Sequence, residues 1–138
     1  MTTLRGGCLC GEVRYQVDAV DRVVICHCAT CRRSAGAQSV AWAVARPDQV
    51  RVSGEGLRWY QSTPNGRRGF CTQCGSSLFF VDADDDSEMD VSASTFDDPE
   101  VLPRPSKHVW VPSKLSWVAL EPGLSRHVEG SFSPEANG

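Results

Sequence analysis

Apolar and polar residues alternate over short stretches along most of the chain, and this period of two is typical of half-buried β-strands. The alternation is clear in Glu12–Val17 and in Val40–Val44, and the apolar segments RVVICHC and LFFV are also predicted to be strands. It resumes in HVWVPSKLSWVAL, where Pro112 confines the segment to a sheet edge or a bend. No helical period of comparable length occurs. The pattern predicts a mainly β fold of short antiparallel sheets with little helix.

Local signals predict several of the connections between these strands. VRVSG and LRWYQ are predicted to form a hairpin across Gly54–Gly56. ATCRRSAG predicts one short helical turn, with Thr30 as its N-cap and Gly36 as its stop. The acidic run DADDDSEMD predicts a solvated loop. The tail GSFSPEANG, residues 130–138, has little to bury and is predicted to be mobile.

Length and charge narrow the classes of function. The 138 residues suit a single domain over 1–138, with a core expected within about 4–120. A formal net charge of −3 predicts no nucleic-acid partner, since such proteins present a basic face. No apolar run reaches the roughly 18 residues of a membrane span, and MTTLRGGCLCG does not resemble a signal peptide. We therefore expect a cytoplasmic protein with no membrane contact.

Seven cysteines in a reducing compartment call for an explanation other than disulfides, which could not pair an odd number. The cysteines fall into three groups with the sequences CLC, CHCATC and CTQC. Such spacing is typical of metal sites. A redox CxxC is the alternative, but CTQC lacks the βαβ surroundings of a thioredoxin-like motif. The sequence predicts metal binding.

Two of the groups together supply four thiols and end in glycine, at Gly11 and Gly75. A glycine at that position can adopt positive φ and allows the backbone to turn around an ion. Four thiolates complete a tetrahedral structural zinc site. Iron in a rubredoxin-like site is a weaker alternative, because only one of the two pairs is a CxxC. The predicted structural ligands are Cys8, Cys10, Cys71 and Cys74.

The remaining thiols, Cys26, Cys28 and Cys31, leave two interpretations open. A fourth protein ligand would make a second structural site; the candidates are His27, His108 and His127. Alternatively, the fourth position is kept for water or substrate, as a catalytic zinc requires. Strand alternation directs His27 away from its cysteine neighbours. A soft thiolate site with an open position suits a small-molecule thiol or thiol adduct as its partner.

Four segments carry a family resemblance: GGCLCGEVRY, CHCATCRRSAGA, FCTQCGSSLFF and HVWVPSKLSWV. Their order from Gly6 to Val118 resembles the glutathione-dependent formaldehyde-activating enzyme family. The resemblance implies a β-tent fold with two zinc ions per chain, one structural and one catalytic. By motif position, Cys8, Cys10, Cys71 and Cys74 match the structural ligands, and Cys26, Cys28 and Cys31 match the catalytic ligands. The family reaction joins formaldehyde and glutathione reversibly to S-(hydroxymethyl)glutathione and is classed with the carbon–sulfur lyases.

The function predicted from the sequence is a zinc-dependent carbon–sulfur lyase that acts on thiol–aldehyde adducts. Arg32 and Arg33 are candidate ligands for substrate carboxylates, although charged residues beside a metal cluster are also ordinary. His108 is a candidate acid or base, with strand packing as the plainer interpretation. The alternative function is a non-catalytic zinc module that binds a protein or peptide. Its contact surface would be the exposed members of Trp42, Trp59, Trp110 and Trp117.

Overall fold

A computed structural model describes residues 3–136, and within them eleven short strands form two sheets. The first strands are β1 (Leu4–Gly7), β2 (Arg14–Val17), β3 (Arg22–Cys26), β4 (Val40–Ala45), β5 (Val50–Ser53) and β6 (Leu57–Gln61). They are followed by β7 (Gly66–Cys71), β8 (Ser77–Asp82), β9 (Asp85–Ser92), β10 (Pro105–Val109) and β11 (Ser125–Arg126). One α-helix, α1 (Ala29–Ala35), follows β3. Single 3₁₀ turns cover Pro47–Gln49, Ala93–Thr95, Pro99–Val101 and Val111–Ser113.

The smaller sheet has the order β1-β2-β5, and the larger sheet has the order β11-β10-β3-β4-β9-β8-β7-β6. Neighbouring strands are antiparallel except at β10, which runs parallel to both β3 and β11. The prediction of a mainly β fold with short antiparallel sheets and little helix is confirmed. No helix in residues 3–136 has the length and apolar character needed to cross a membrane.

The main core lies where the smaller sheet packs on one face of the larger sheet. Tyr15 and Val17 of β2 meet Phe79 of β8 and Val91 of β9, and none of these side chains is more than 1% exposed. The Tyr15 ring packs edge-on against Phe79, with centroids 5.5 Å apart, and its hydroxyl is 2.7 Å from Thr95 Oγ1. Burying each large side chain contributes roughly 1.5–3 kcal/mol, so this contact holds the two sheets together.

The opposite face of the larger sheet carries a second apolar cluster, which includes the cysteines of CHCATC. Successive side chains of a strand point to opposite faces. In β4, Ala43 and Ala45 therefore face the main core, whereas Trp42 and Val44 face the second cluster with Cys26 and Cys31. Trp42 is only 3% exposed. It is thus removed from the contact surface that a peptide-binding module would use.

The predicted hairpin across Gly54–Gly56 is wrong. β5 pairs with β2 in the smaller sheet, whereas β6 pairs with β7 in the larger one. Gly54 has φ +97°, and a Cβ there would lie 1.8 Å from the carbonyl oxygen of Glu12. The chain crosses from the smaller sheet to the larger one at this close approach. The consecutive strands β5 and β6 therefore belong to different sheets.

The acidic run is solvent-exposed over residues 82–87, as its composition predicts, but it does not form a loop. β8 ends at Asp82 and β9 begins at Asp85, so the run contributes most of one strand of an antiparallel hairpin. Pairing with β8 and β4 overrides the low strand propensity of Asp and Glu. One consequence is that Glu88 and Asp90 are partly buried on a sheet face and line a cavity.

The predicted helical turn is present as α1, and Gly36 ends it with φ +62°, as expected. Its N-cap is Cys28 and not Thr30, because the Cys31 N–H donates to Cys28 Sγ at 3.3 Å. Pro112 marks a bend, as predicted: β10 ends at Val109 and a single 3₁₀ turn follows.

The C-terminal segment returns to the larger sheet. The Phe132 ring lies 5.1 Å from the Arg22 guanidinium and 4.6 Å from Lys107 Nζ. The Ala136 N–H donates to the Arg126 carbonyl at 2.8 Å. The mobility predicted for residues 130–138 and the limits of the core stay predictions, and residues 137–138 lie outside the described part of the chain.

Candidate metal centres and their cavity

The CLC and CTQC segments bring four sulfurs together at one end of the smaller sheet. The Sγ atoms of Cys8, Cys10, Cys71 and Cys74 all lie within 4.8 Å of one another. Cys8 and Cys10 are 3.6 Å apart, and Cys10 and Cys71 are 3.8 Å apart. A tetrahedral ion with metal–sulfur bonds of about 2.3 Å requires sulfurs about 3.8 Å apart. The donor set therefore fits a tetrahedral thiolate metal such as zinc.

Two tight turns, and not extended strands, orient these sulfurs. β1 ends at Gly7, and the Gly11 N–H closes a turn onto the Cys8 carbonyl at 3.2 Å. The Gly75 N–H closes the second turn onto the Cys71 carbonyl at 2.8 Å. Gly11 has φ +84° and Gly75 has φ +79°, a conformation that other residues rarely adopt. The two glycines therefore adopt the positive φ that was expected of them and close the turns, which leaves the four sulfurs in one cluster.

Hydrogen bonds help to lower the pKa of two of these thiols, Cys8 and Cys74, whereas burial and the neighbouring thiols raise the pKa of Cys10 to about 12. The Val13 N–H lies 3.2 Å from Cys8 Sγ, and the Gln73 N–H lies 3.4 Å from Cys71 Sγ. The side chain of Ser76, together with its backbone N–H, lowers the pKa of Cys74 to about 5. N–H and O–H donors favour the thiolate, which is the form that binds a metal ion.

The second cluster contains only three sulfurs. Cys26 is the last residue of β3, Cys28 caps α1, and Cys31 lies in the first turn of that helix. Their Sγ atoms lie within 4.8 Å of one another, and within residues 3–136 no histidine or carboxylate joins them at that distance. We call these residues the cysteine triad. Three converging soft donors fit a thiolate-preferring metal ion, with one fewer protein ligand than a closed tetrahedral site.

The three thiols of the triad differ in acidity. Hydrogen bonds from Cys26 and then Cys31 hold the pKa of Cys28 well below its ordinary value. The same interactions, with burial, raise the pKa of Cys26. The negative charge is therefore concentrated first on Cys28, the most exposed sulfur of the three.

The three histidines considered as a fourth ligand are held elsewhere. His27 is buried, and its Nε2 lies 2.9 Å from Nδ1 of His108. The Glu121 N–H donates to Nε2 of His108, so a neutral His108 carries its proton on Nδ1 and donates it to His27. Burial lowers the pKa of His27 to about 4 and also lowers that of His108, which keeps both rings neutral. His127 binds Ser125 Oγ and the Ser133 carbonyl.

A cavity of about 810 Å³ lies over the triad, and all three cysteines line it. Trp42 and Phe80 form part of an apolar wall, with ring centroids 6.3 Å apart. Arg68 and Asp90 also line the cavity. The rest of the lining is mixed, with apolar side chains beside the triad and several charged and polar ones around them. A concave site that combines an apolar wall with polar groups can bind a small molecule.

The residues predicted to bind substrate lie around this cavity but do not line it. Arg33 lines a separate cavity of about 540 Å³, which shares Thr30 and Arg68 with the first. The buried Nε of Arg32 has no hydrogen-bond partner within the described residues. His108 lies behind the triad, against His27. The side chain that sequence reasoning missed is Arg68, whose guanidinium reaches Cys31.

Asp90 is an acidic side chain on the cavity face of β9, opposite Val44 of β4 and Phe80 of β8. Burial, followed by repulsion from Glu88, raises the pKa of Asp90 to about 7, although Arg22 opposes the shift. Cys26 is opposite Val40, four residues from Val44 along β4, which corresponds to roughly 13 Å. Asp90 therefore faces the part of the cavity remote from the triad.

Asp90→Asn is expected to stabilise the fold at alkaline pH and to have little effect at low pH. The folded-state pKa lies above the unfolded value, so the wild-type carboxyl destabilises the fold progressively as pH rises from about 4 to about 7. We expect the variant to gain about 2 kcal/mol at pH 8.5 and clearly less at pH 5.5. Urea unfolding at both pH values measures this difference.

Asp97→Asn is the matched control for this experiment. A hydrogen bond from Arg14 keeps the pKa of Asp97 below its usual range, so Asp97 is ionised in both the folded and the unfolded state above pH 5.5. The change in unfolding free energy caused by Asp97→Asn should therefore be the same at pH 5.5 and at pH 8.5. A gain from Asp90→Asn that is equal at pH 5.5 and pH 8.5 would contradict a titrating, buried carboxyl.

The fold and the two clusters define a class of protein: a mainly β domain with one four-cysteine and one three-cysteine centre, each able to hold a metal ion. The family model described as "Glutathione-dependent formaldehyde-activating enzyme" matches residues 3–113. The chain belongs to this family, as its motifs predicted.

Individual relatives agree with this assignment. A Halomonas elongata protein named "Putative glutathione-dependent formaldehyde-activating enzyme" is 33% identical over 129 residues, which cover 86% of this chain and 81% of that protein. An uncharacterized lyase of Schizosaccharomyces pombe is 28% identical over 82 residues, 59% of each chain. The crystal structure of a Rhodobacter sphaeroides protein superposes with a TM-score of 0.58 at 26% identity, over 72% of this chain and 97% of that one.

Proposed function

We propose that this protein is a zinc-dependent carbon–sulfur lyase that forms and cleaves thiol–aldehyde adducts, with glutathione and formaldehyde as the candidate pair. The observation that carries the proposal is the difference between the two clusters. One has four sulfurs, whereas the triad has three and opens onto a cavity of about 810 Å³. A closed four-thiolate site is structural, and a site with fewer protein ligands is typical of catalysis.

The family and the names of the relatives support the choice of substrates. The family model and the Halomonas elongata relative both carry glutathione and formaldehyde in their descriptions, and the Schizosaccharomyces pombe relative is called a lyase. The geometry adds an argument that does not depend on names. Soft sulfur donors facing an apolar wall suit a ligand that is itself a thiol.

Each cluster has a separate role in this proposal. The four sulfurs of Cys8, Cys10, Cys71 and Cys74 would hold a structural zinc ion. Cys26, Cys28 and Cys31 would hold a catalytic one. When bound at the triad, zinc supplies Lewis-acid chemistry and lowers the pKa of a thiol that joins it. All seven cysteines are free thiols in the structure, which agrees with a role in the reducing cytoplasm.

The reaction needs an apolar environment at the reacting sulfur and charged groups at the other end of the substrate, and residues of this chain provide both. The substrate thiol gives up its proton, its sulfur forms a bond to the aldehyde carbon, and the carbonyl oxygen gains a proton; cleavage reverses these steps. Trp42 and Phe80 exclude water from one side of the sulfur. Asp90 meets the remote end of an extended thiol, and Arg33 lines the adjoining cavity, where a glutathione carboxylate would reach it. His108 does not line this cavity, and its Nδ1 lies 2.9 Å from Nε2 of His27.

The direct test measures the exchange of ¹³C-formaldehyde with glutathione by NMR exchange spectroscopy. The zinc-loaded protein is expected to accelerate formation and cleavage of the adduct by about 100-fold or more over the same mixture without protein. Removing the metal with a chelator should abolish the acceleration, and adding zinc back should restore it. Acceleration with a simple thiol but not with glutathione would keep the reaction and reject the substrate. No acceleration with any thiol would favour the non-catalytic binding module.

A further inference from the structure

Arg68 has an unusual position for an arginine. It lies on β7 opposite Phe80 and is only 5% exposed. Its guanidinium stacks 4.8 Å from the centroid of the Phe80 ring. Nη1 and Nη2 each lie 3.6 Å from Cys31 Sγ, and Nη2 donates to Thr30 Oγ1 at 3.0 Å. Nε donates to Ser62 Oγ at 3.2 Å. The fork of the guanidinium is thus directed at the triad.

Within the described residues no carboxylate forms an ion pair with Arg68, although Asp90 lines the same cavity and interacts with its charge at longer range. The ion pairs within residues 3–136 involve Arg14, Arg22, Arg46 and Arg51, but not Arg68. A buried, uncompensated cation is costly, so it requires a nearby anion. The two N–H groups that point at Cys31 Sγ place the guanidinium beside the sulfurs of the triad, which would supply that negative charge when they hold a metal ion as thiolates.

The charge at the triad depends on what binds there. Three thiolates and a divalent ion carry a net charge of −1, and a neutral fourth ligand leaves this charge unchanged. An anionic fourth ligand, including the thiolate of the proposed reaction, would make the net charge −2 in a largely enclosed site. Arg68 also lines the cavity that such a ligand occupies.

We propose that Arg68 is a specificity-determining residue that makes the triad select anionic over neutral ligands. This inference rests on the proposed function in one respect: it takes the ligand to be one that completes the coordination of a metal held by the triad. The guanidinium offsets the second negative charge where it develops, beside Cys31. Neutral ligands gain nothing from it.

The test uses the full chain loaded with cobalt, whose visible absorption reports a ligand bound at the triad. Azide is the anionic probe, imidazole is the neutral probe, and 2-mercaptoethanol tests the thiol. Arg68→Met should weaken azide binding roughly 10- to 100-fold, the usual cost of losing a group that supports a metal ligand, and should change imidazole binding less than about threefold. Arg68→Lys keeps the charge, so its azide-to-imidazole ratio should stay close to wild type.

Arg67→Met is the matched control, because Arg67 is the preceding residue on the opposite, exposed face of β7 and lies over Trp59. Arg67→Met should change neither the affinity for azide nor the affinity for imidazole. An equal loss of azide and imidazole binding in Arg68→Met, or no loss of either, overturns the proposal. If Arg68→Met does not fold, a large drop in the azide-to-imidazole ratio in Arg68→Lys overturns it instead.

The same titrations separate this proposal from the proposed function. Azide and imidazole decide the role of Arg68 without any thiol. If azide binding depends on Arg68 as expected but 2-mercaptoethanol leaves the spectrum unchanged, the charge selectivity stands and the thiol chemistry fails. If azide and imidazole each bind equally well to wild type and Arg68→Met while 2-mercaptoethanol still changes the spectrum, thiol chemistry stands and the role of Arg68 fails.

Discussion

Cys71→Ser is expected to leave most of the chain unfolded at 25 °C. Cys71 is fully buried at the end of β7, and its sulfur lies 3.8 Å from that of Cys10, which belongs to the turn between β1 and β2. The four-cysteine cluster thereby joins the smaller sheet to the larger one. A structural zinc contributes about 10–16 kcal/mol of folding free energy, which is comparable to the whole stability of a domain of this size. Losing one of its four ligands removes much of that free energy.

Circular dichroism, together with metal content measured by mass spectrometry, tests this prediction. We expect Cys71→Ser to retain less than one metal ion per chain and to show no cooperative thermal transition. Cys28→Ser makes the same chemical change in the triad and should melt cooperatively. Equal melting behaviour of the two variants would show that the clusters do not differ in structural importance.

The cysteine clusters could be predicted from the sequence because a metal site requires cysteines at short, fixed separations along the chain, and these separations can be read directly. CLCG and CTQCG each contain the two thiols of a turn and the glycine that closes it, and Gly11 and Gly75 have the positive φ that this requires. The preference of a metal ion for four ligands is the reason for expecting the two turns to come together. Neither step depends on knowing the rest of the fold.

Strand pairing could not be predicted in the same way, because alternation shows that a segment is a strand and not which strand it pairs with. β5 and β6 are adjacent in sequence yet belong to different sheets. The acidic run shows the related difficulty. Its charges predict solvent exposure, but pairing with β4 and β8 places Asp90 on the wall of the cavity.

Arg68 was missed as a site residue for a similar reason. Arg67 and Arg68 have the same chemistry and adjacent positions, and alternation states only that they face opposite ways. The pairing of β7 with β8 brings Arg68 opposite Phe80 and so to the triad, whereas Arg67 lies over Trp59. A tertiary contact between β7 and α1 decides which arginine reaches the triad, and no local pattern contains it.

Cys28→Ser is expected to abolish adduct exchange while it preserves the fold. Cys28 has two roles that this substitution separates. Its sulfur is one of the three converging donors of the triad, and it also accepts the Cys31 N–H as the N-cap of α1. Serine is among the preferred N-cap residues, so its hydroxyl can keep the cap. A neutral hydroxyl is a poor substitute for a soft thiolate ligand.

We therefore expect the exchange of ¹³C-formaldehyde with glutathione to fall by about 100-fold or more in Cys28→Ser, with a melting temperature within about 8 °C of wild type. Cys28→Ala is the informative companion, because it removes the ligand and the cap together. It should lose activity to the same extent and lose about a further 1 kcal/mol of stability. If Cys28→Ser kept its exchange activity, the triad would not be the reactive centre. If it unfolded as completely as Cys71→Ser, both clusters would be structural, and the exposed Trp117 and its neighbours would become the place to look for a binding partner.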